Sequence, residues 1–157
     1  MPNNLFHDCP LLEDVSNMFQ MWGADDGAGA MAANSDRRVP EDLFKYCPNL
    51  RDCSALFAGN GMVGGAIPSM FFYYNTNLRS IESAFWGSSF NAMGDNLLDR
   101  NLKLENVAHA FRESHIASGT ATPIWDTSVY KDINSYTMCF RGLEELSNYN
   151  DIPSTWK

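Results

Sequence analysis

An 18-residue phrase recurs along this chain with fixed internal spacing. In Pro40-Glu-Asp-Leu-Phe44-Lys-Tyr-Cys47-Pro-Asn-Leu50-Arg-Asp-Cys53-Ser-Ala-Leu56-Phe57, Pro, Phe, Leu and Phe stand at successive offsets of four, six and seven. Pro2, Phe6, Leu12 and Phe19 repeat the pattern, as do Pro68, Phe72, Leu78 and Phe85. Gly94, Leu98, Leu104 and Phe111 repeat it with Gly for Pro, and Pro123, Thr127, Ile133 and Phe140 repeat it with a degraded second position. Ile152-Pro153 opens one further unit. The Pro/Gly landmarks are 38, 28, 26, 29 and 30 residues apart, so all irregularity lies between blocks. Such a sequence cannot bury its apolar face one unit at a time and must stack its units into one continuous core.

The repeat predicts an α/β repeat solenoid of about five units, near residues 2–39, 40–67, 68–93, 94–122 and 123–152, with 153–157 the start of a truncated unit. The 38-residue first interval is explained by residues 20–38, rich in Gly, Ala, Asp and Asn, which read as an inserted loop. Pro followed by acidic or Ser residues, as in Pro40-Glu41-Asp42 and Pro68-Ser69, predicts a short helix with Pro in its first turn. The stretches 49–57 and 77–85 predict extended segments that pair with their equivalents in neighbouring units.

The columns of the repeat assign roles. Val15, Cys53, Ile81, Val107 and Tyr136 form one column, and Met18, Leu56, Ala84, Ala110 and Cys139 another; both predict core. Cys9, Cys47, Asn75, Asn101 and Tyr130 form a third, in which Cys and Asn exchange. A small donor there would hydrogen-bond otherwise unpaired backbone carbonyls of its own and neighbouring units, a task either side chain performs.

The phrases Leu43-Phe44-x-x-Cys47-x-x-Leu50-x-x-Cys53-Ser54-x-Leu56-Phe57 and Leu5-Phe6-x-x-Cys9-x-x-Leu12-x-x-Val15-Ser16-x-Met18-Phe19 resemble BspA-like leucine-rich repeats, and the similarity runs through nearly the whole chain. The resemblance implies a leucine-rich-repeat-like solenoid. It also implies a role in adhesion or recognition, on a bacterial surface protein or a phage virion, with no catalytic residues and no cofactor.

Composition narrows the chemistry. Eleven Lys and Arg against nineteen Asp and Glu, with no basic run, disfavour nucleic acid as a partner. The longest uncharged apolar stretch, 56–78, is broken by Gly, Pro and Asn and makes a poor membrane span, and no basic region followed by an apolar one marks a secretory signal within the chain. The four cysteines, spaced 38, 6 and 86 residues apart, contain no Cys-x-x-Cys pair and fall in repeat columns, so neither a metal site nor a disulfide is expected. His7 and His109 lie in variable columns, which predicts solvent, and no nucleophile motif accompanies them. Asp25-Asp26-Gly27 lacks the order of a calcium loop, and Gly59 to Gly65 lacks the Lys-Ser/Thr ending of a phosphate loop; both read as loops.

Aromatic residues crowd the third unit. Phe72 and Phe85 are core by column, whereas Tyr73, Tyr74 and Trp86 are the candidate binding surface, since aromatic faces give contact area at low entropic cost. Beside this stands the plainer reading that they cover the edge of the core. The expected function is therefore a non-enzymatic recognition module for a protein or glycan ligand, displayed outside the cell or on a virion. The alternative is an architectural segment whose copies stack end to end, because no polar capping unit is evident in the repeat pattern.

Overall fold

The computed structural model describes residues 5–21 and 38–157; the Asp25-Asp26-Gly27 stretch and most of the 20–38 insertion lie outside them. The α/β solenoid expected from the sequence does not form. Among the described residues there is no helix of seven residues or more. The regular elements are two two-residue strands, β1 (Ala66–Ile67) and β2 (Ala92–Met93), paired in parallel, and the 3₁₀ turns Tyr149–Asp151 and Ser154–Trp156. A chain made mostly of turns is neither a leucine-rich-repeat solenoid nor an α/β fold.

The predicted helices fail for a local reason. After Pro40 the N–H groups of Leu43, Lys45 and Cys47 donate to the carbonyls of Pro40, Asp42 and Phe44, each three residues back. Phe71, Tyr73 and Asn75 do the same after Pro68. Every second N–H closes a turn, and consecutive bonds four residues back never begin. Pro and acidic residues favour a helix start, but two turns do not recover the cost of nucleation.

The predicted strands fail for a different reason. Neighbouring units meet in register at isolated parallel bridges, Asp14 with Asp52, Asp52 with Ser80, Ser80 with Asn106 and Asn106 with Ser135. Beyond each bridge the backbone turns left-handed at every fourth residue: Asn17, Ala55, Ser83, His109 and Met138 have φ between 51° and 58°, and Met21, Gly59, Gly87, Glu113 and Gly142 between 50° and 81°. Extended geometry cannot continue through such residues. For the non-glycine members the conformation costs about 1–2 kcal/mol each, so it persists only because the surrounding contacts demand it.

Those contacts are a ladder between units. The N–H groups of Val15, Asn17, Phe19 and Met21 donate to the carbonyls of Asp52, Ser54, Leu56 and Ala58. Cys53, Ala55, Phe57 and Gly59 donate likewise to Ser80, Glu82, Ala84 and Trp86, and the pattern continues to the fifth unit. The intervening N–H groups, such as Met18 to Val15 and Leu56 to Cys53, close local turns. Backbone groups thus alternate between an inter-unit bond and a turn, which satisfies them without helix or sheet.

Packing follows the same register. Phe57, Phe85, Phe111 and Phe140 are buried and form a stacked file with Phe19, ring centroids 5.3, 6.1, 5.3 and 5.5 Å apart from Phe19 onward. Phe71, Phe72 and Phe90 meet it edge-on. The far end of the file is covered: Trp156, 5% exposed, stacks on Tyr136 and Phe140, and its carbonyl accepts from the Phe140 N–H. With Leu143, Leu146 and Ile152 also buried, residues 143–157 close that end, where the repeat pattern alone showed no cap.

Candidate functional site

The Cys/Asn column forms a polar spine through the core. Cys47 Sγ donates to the Phe6 carbonyl (3.6 Å), Asn75 Nδ2 to Phe44 (3.0 Å), Asn101 Nδ2 to Phe72 (3.1 Å), and the Tyr130 hydroxyl to Leu98 (3.1 Å). Each thus reaches the equivalent carbonyl one unit back. Both asparagines bond a second carbonyl, Asn75 that of Cys47 and Asn101 that of Asn75, at 2.8 and 2.9 Å. Their Oδ1 atoms are buried and accept nothing among the described residues. The column uses only donor capacity, which is why a thiol substitutes for an amide at Cys47. Cys9, in the first unit, is half-buried.

Tyr130 makes the spine sensitive to alkali. Burial first, and the nearby Asp99 charge second, raise its hydroxyl from 10.0 to about 12. The folded value lies above the unfolded one, so the contribution of Tyr130 to stability is complete below pH 10 and is lost as pH rises toward 12. Urea titrations at pH 9 and pH 11.5 are expected to show a smaller pH-dependent loss in Tyr130→Phe than in the wild type. An equal loss in both would place the alkaline transition elsewhere.

The four cysteines are free thiols. Burial raises Cys47, Cys53 and Cys139 above the ordinary thiol value, which keeps them protonated and weakly nucleophilic. The histidines are dispersed. His7 Nδ1 lies 2.9 Å from Asp8, and its ring 4.3 Å from Tyr46; His115 Nδ1 lies 3.0 Å from the Ser88 carbonyl. His109, expected in solvent, is half-buried, and its Nδ1 is buried with no partner among the described residues. Among the described residues no three His, Cys, Asp or Glu side chains converge as a metal ion requires, and no helix is long and apolar enough to cross a membrane.

A second polar column escaped the sequence reading. Asn60, Ser88 and Ser114 are buried three residues beyond the closing Phe of their units. Asn60 Nδ2 donates to the Phe19 carbonyl (2.6 Å), and its Oδ1 accepts from the N–H groups of Met62 and Val63 (2.8 and 3.1 Å), so it organises the Gly-rich turn from Gly59 to Gly65. The signal was the common offset from Phe57, Phe85 and Phe111, obscured by the Asn-to-Ser exchange.

The candidate binding residues occupy two places. Tyr73 (38% exposed) and Tyr74 (39%) meet edge-on at 5.1 Å. Lys45 sits over both Tyr46 and Tyr74 (5.5 and 5.6 Å), and Arg100 over Tyr73 (5.1 Å). With His7 against Tyr46, this makes a band of aromatic rings interspersed with Lys45 and Arg100 across four units. A 390 Å³ cleft lined by Pro40, Glu41, Asp42, Lys45, Met70 and Tyr74 adjoins it. Trp86 makes no ring contact with either tyrosine and instead lies under Arg112, 5.7 Å away. There the Arg112 hydrogen bond lowers the Glu113 carboxyl against desolvation, helped by Trp86 and Arg141. Comparison of the chain with protein-family models, with curated proteins and with solved structures finds no match.

Proposed function

We propose that this chain is a non-enzymatic recognition module, displayed outside the cell or on a virion, that binds a protein or glycan surface through the His7–Tyr46–Lys45–Tyr74–Tyr73–Arg100 band. The observation that carries the reading is the exposure of Tyr46, Tyr73 and Tyr74 in one continuous band with fixed cationic neighbours, flanked by a cleft. The cations hold the rings in place and offer donors at their rims, an arrangement suited to carbohydrate faces and carbonyl-rich peptides. The BspA-like phrasing of the repeats supports a surface-displayed binding role. Trp86 pairs with Arg112 and makes no ring contact with the band, so this reading does not depend on it.

The test is a glycan panel and a displayed peptide library screened with the full chain, then with Tyr73→Ala/Tyr74→Ala and, separately, Trp86→Ala. Partners selected by the wild type are expected to bind the double variant about tenfold more weakly or worse, with Trp86→Ala close to wild type. Undiminished binding by a double variant with an unchanged urea melt would overturn the assignment.

A further inference from the structure

The bonding that joins neighbouring units leaves a defined remainder at each end of the stack. Inside the molecule each unit presents to the next one carbonyl followed, at every second residue, by four N–H groups: the Glu13 carbonyl accepts from the N–H groups of Arg51 and Asp52, and Val15, Asn17, Phe19 and Met21 donate. At the outer edge of the first unit, the N–H groups of Glu13 and Asp14 and the carbonyls of Asp14, Ser16, Met18 and Gln20 make no hydrogen bond among the described residues. At the outer edge of the fifth unit, the Asn134 carbonyl and the N–H groups of Tyr136, Met138 and Gly142 are likewise without partners among the described residues, and only the third of the four donors, Phe140, is taken, by the Trp156 carbonyl.

One edge therefore lacks what the other edge has, in the same order and at the same two-residue spacing. We propose that the 13–20 edge docks the 134–142 edge of a second copy of this chain, head to tail, once the arm bearing Trp156 leaves Tyr136 and Phe140. Donor and acceptor charges complement each other across this junction, and the junction continues the contact that already joins every neighbouring pair of units. A two-fold pairing of first-unit edges would oppose carbonyl to carbonyl, so the contact is heterologous and extendable. Met18 is 43% exposed while its equivalents Leu56, Ala84, Ala110 and Cys139 are buried, which marks the apolar surface that a second copy would cover. Trp156 is the edge protector that limits this growth. The inference is independent of the aromatic band.

Sedimentation velocity on the full chain over a concentration series tests it. Trp156→Ala is expected to self-associate at least tenfold more tightly than the wild type, and Met18→Lys/Trp156→Ala to return to monomer, because the lysine is solvated in the monomer and buried unpaired at the junction. A folded Trp156→Ala that associates no more tightly than wild type would overturn the proposal. If Trp156→Ala does not fold, a cysteine pair decides. Ser54 Oγ lies 2.7 Å from Ser80 Oγ between adjacent units, and Thr137 and Asp14 hold the equivalent positions across the proposed junction. Mixing Asp14→Cys with Thr137→Cys chains under oxidised glutathione should yield the mixed disulfide between positions 14 and 137. Only homodimers or glutathione adducts would refute it.

Discussion

Phe85→Ala is expected to lower the stability of the chain by about 3–5 kcal/mol, the range for truncating a fully buried aromatic side chain. Phe85 stands at the middle of the aromatic file, stacked on Phe57 and Phe111 at 6.1 and 5.3 Å and met edge-on by Phe71, Phe72 and Phe90 at 6.4, 6.2 and 5.6 Å. Its neighbours are held in register by the backbone bonds of Phe57 to Ala84 and Phe85 to Ala110, so they cannot collapse into the space it leaves. The same truncation at Phe6, which is partly buried and stacked on Phe44 alone among the ring pairs described, removes less. Urea unfolding should therefore rank Phe85→Ala well below Phe6→Ala in midpoint. Equal losses would mean that the file does not act as a continuous core.

Gly94→Ala is expected to cost about 3 kcal/mol or more, at the upper end of overpacking penalties, because the added methyl meets backbone rather than a movable side chain. A Cβ at this position would stand 2.5 Å from the Ile67 carbonyl oxygen and from the Ser69 nitrogen, and 2.8 Å from the Ser69 Cα. Gly94 occupies the landmark held by Pro40, Pro68 and Pro123 in other units, and this close approach is the reason that Pro is replaced there. Gly94→Pro, which restores the repeat template, is accordingly expected to be worse than Gly94→Ala. Gly87→Ala separates the two causes: φ is 59° but nothing lies within 4 Å of its Cβ, so only the backbone term applies. A Gly94→Ala chain as stable as Gly87→Ala would contradict the proposed clash.

The repeat register was legible because burial selects residue type at fixed intervals. Leu50, Leu78 and Leu104, Cys53, Ile81 and Val107, and Phe57, Phe85 and Phe111 are all buried in the columns that the offsets define. The donor column was legible for a chemical reason, since Asn and Cys share little except a donor and small size. Secondary structure was not legible. Pro40-Glu41-Asp42 signals how a helix begins and carries no information on whether it propagates, and the left-handed column shows itself at Gly59, Gly87 and Gly142 but is hidden by Met21 and Glu113 in the other units. The cation each exposed ring meets was not legible either, Arg112 at Trp86 but Lys45 and Arg100 at Tyr74 and Tyr73, because those partners come from neighbouring units.

Amide hydrogen exchange resolved by residue tests the alternating ladder most directly. The expected pattern is strong protection at Cys53, Ala55, Phe57, Gly59, Ile81, Ser83, Phe85 and Gly87, each bonded to the next unit, with rapid exchange at Glu13, Asp14, Tyr136 and Met138 on the outer edges. Consecutive protection through 41–46 and 69–74, as two helical turns would give, together with fast exchange at Ala55 and Ser83, would contradict it.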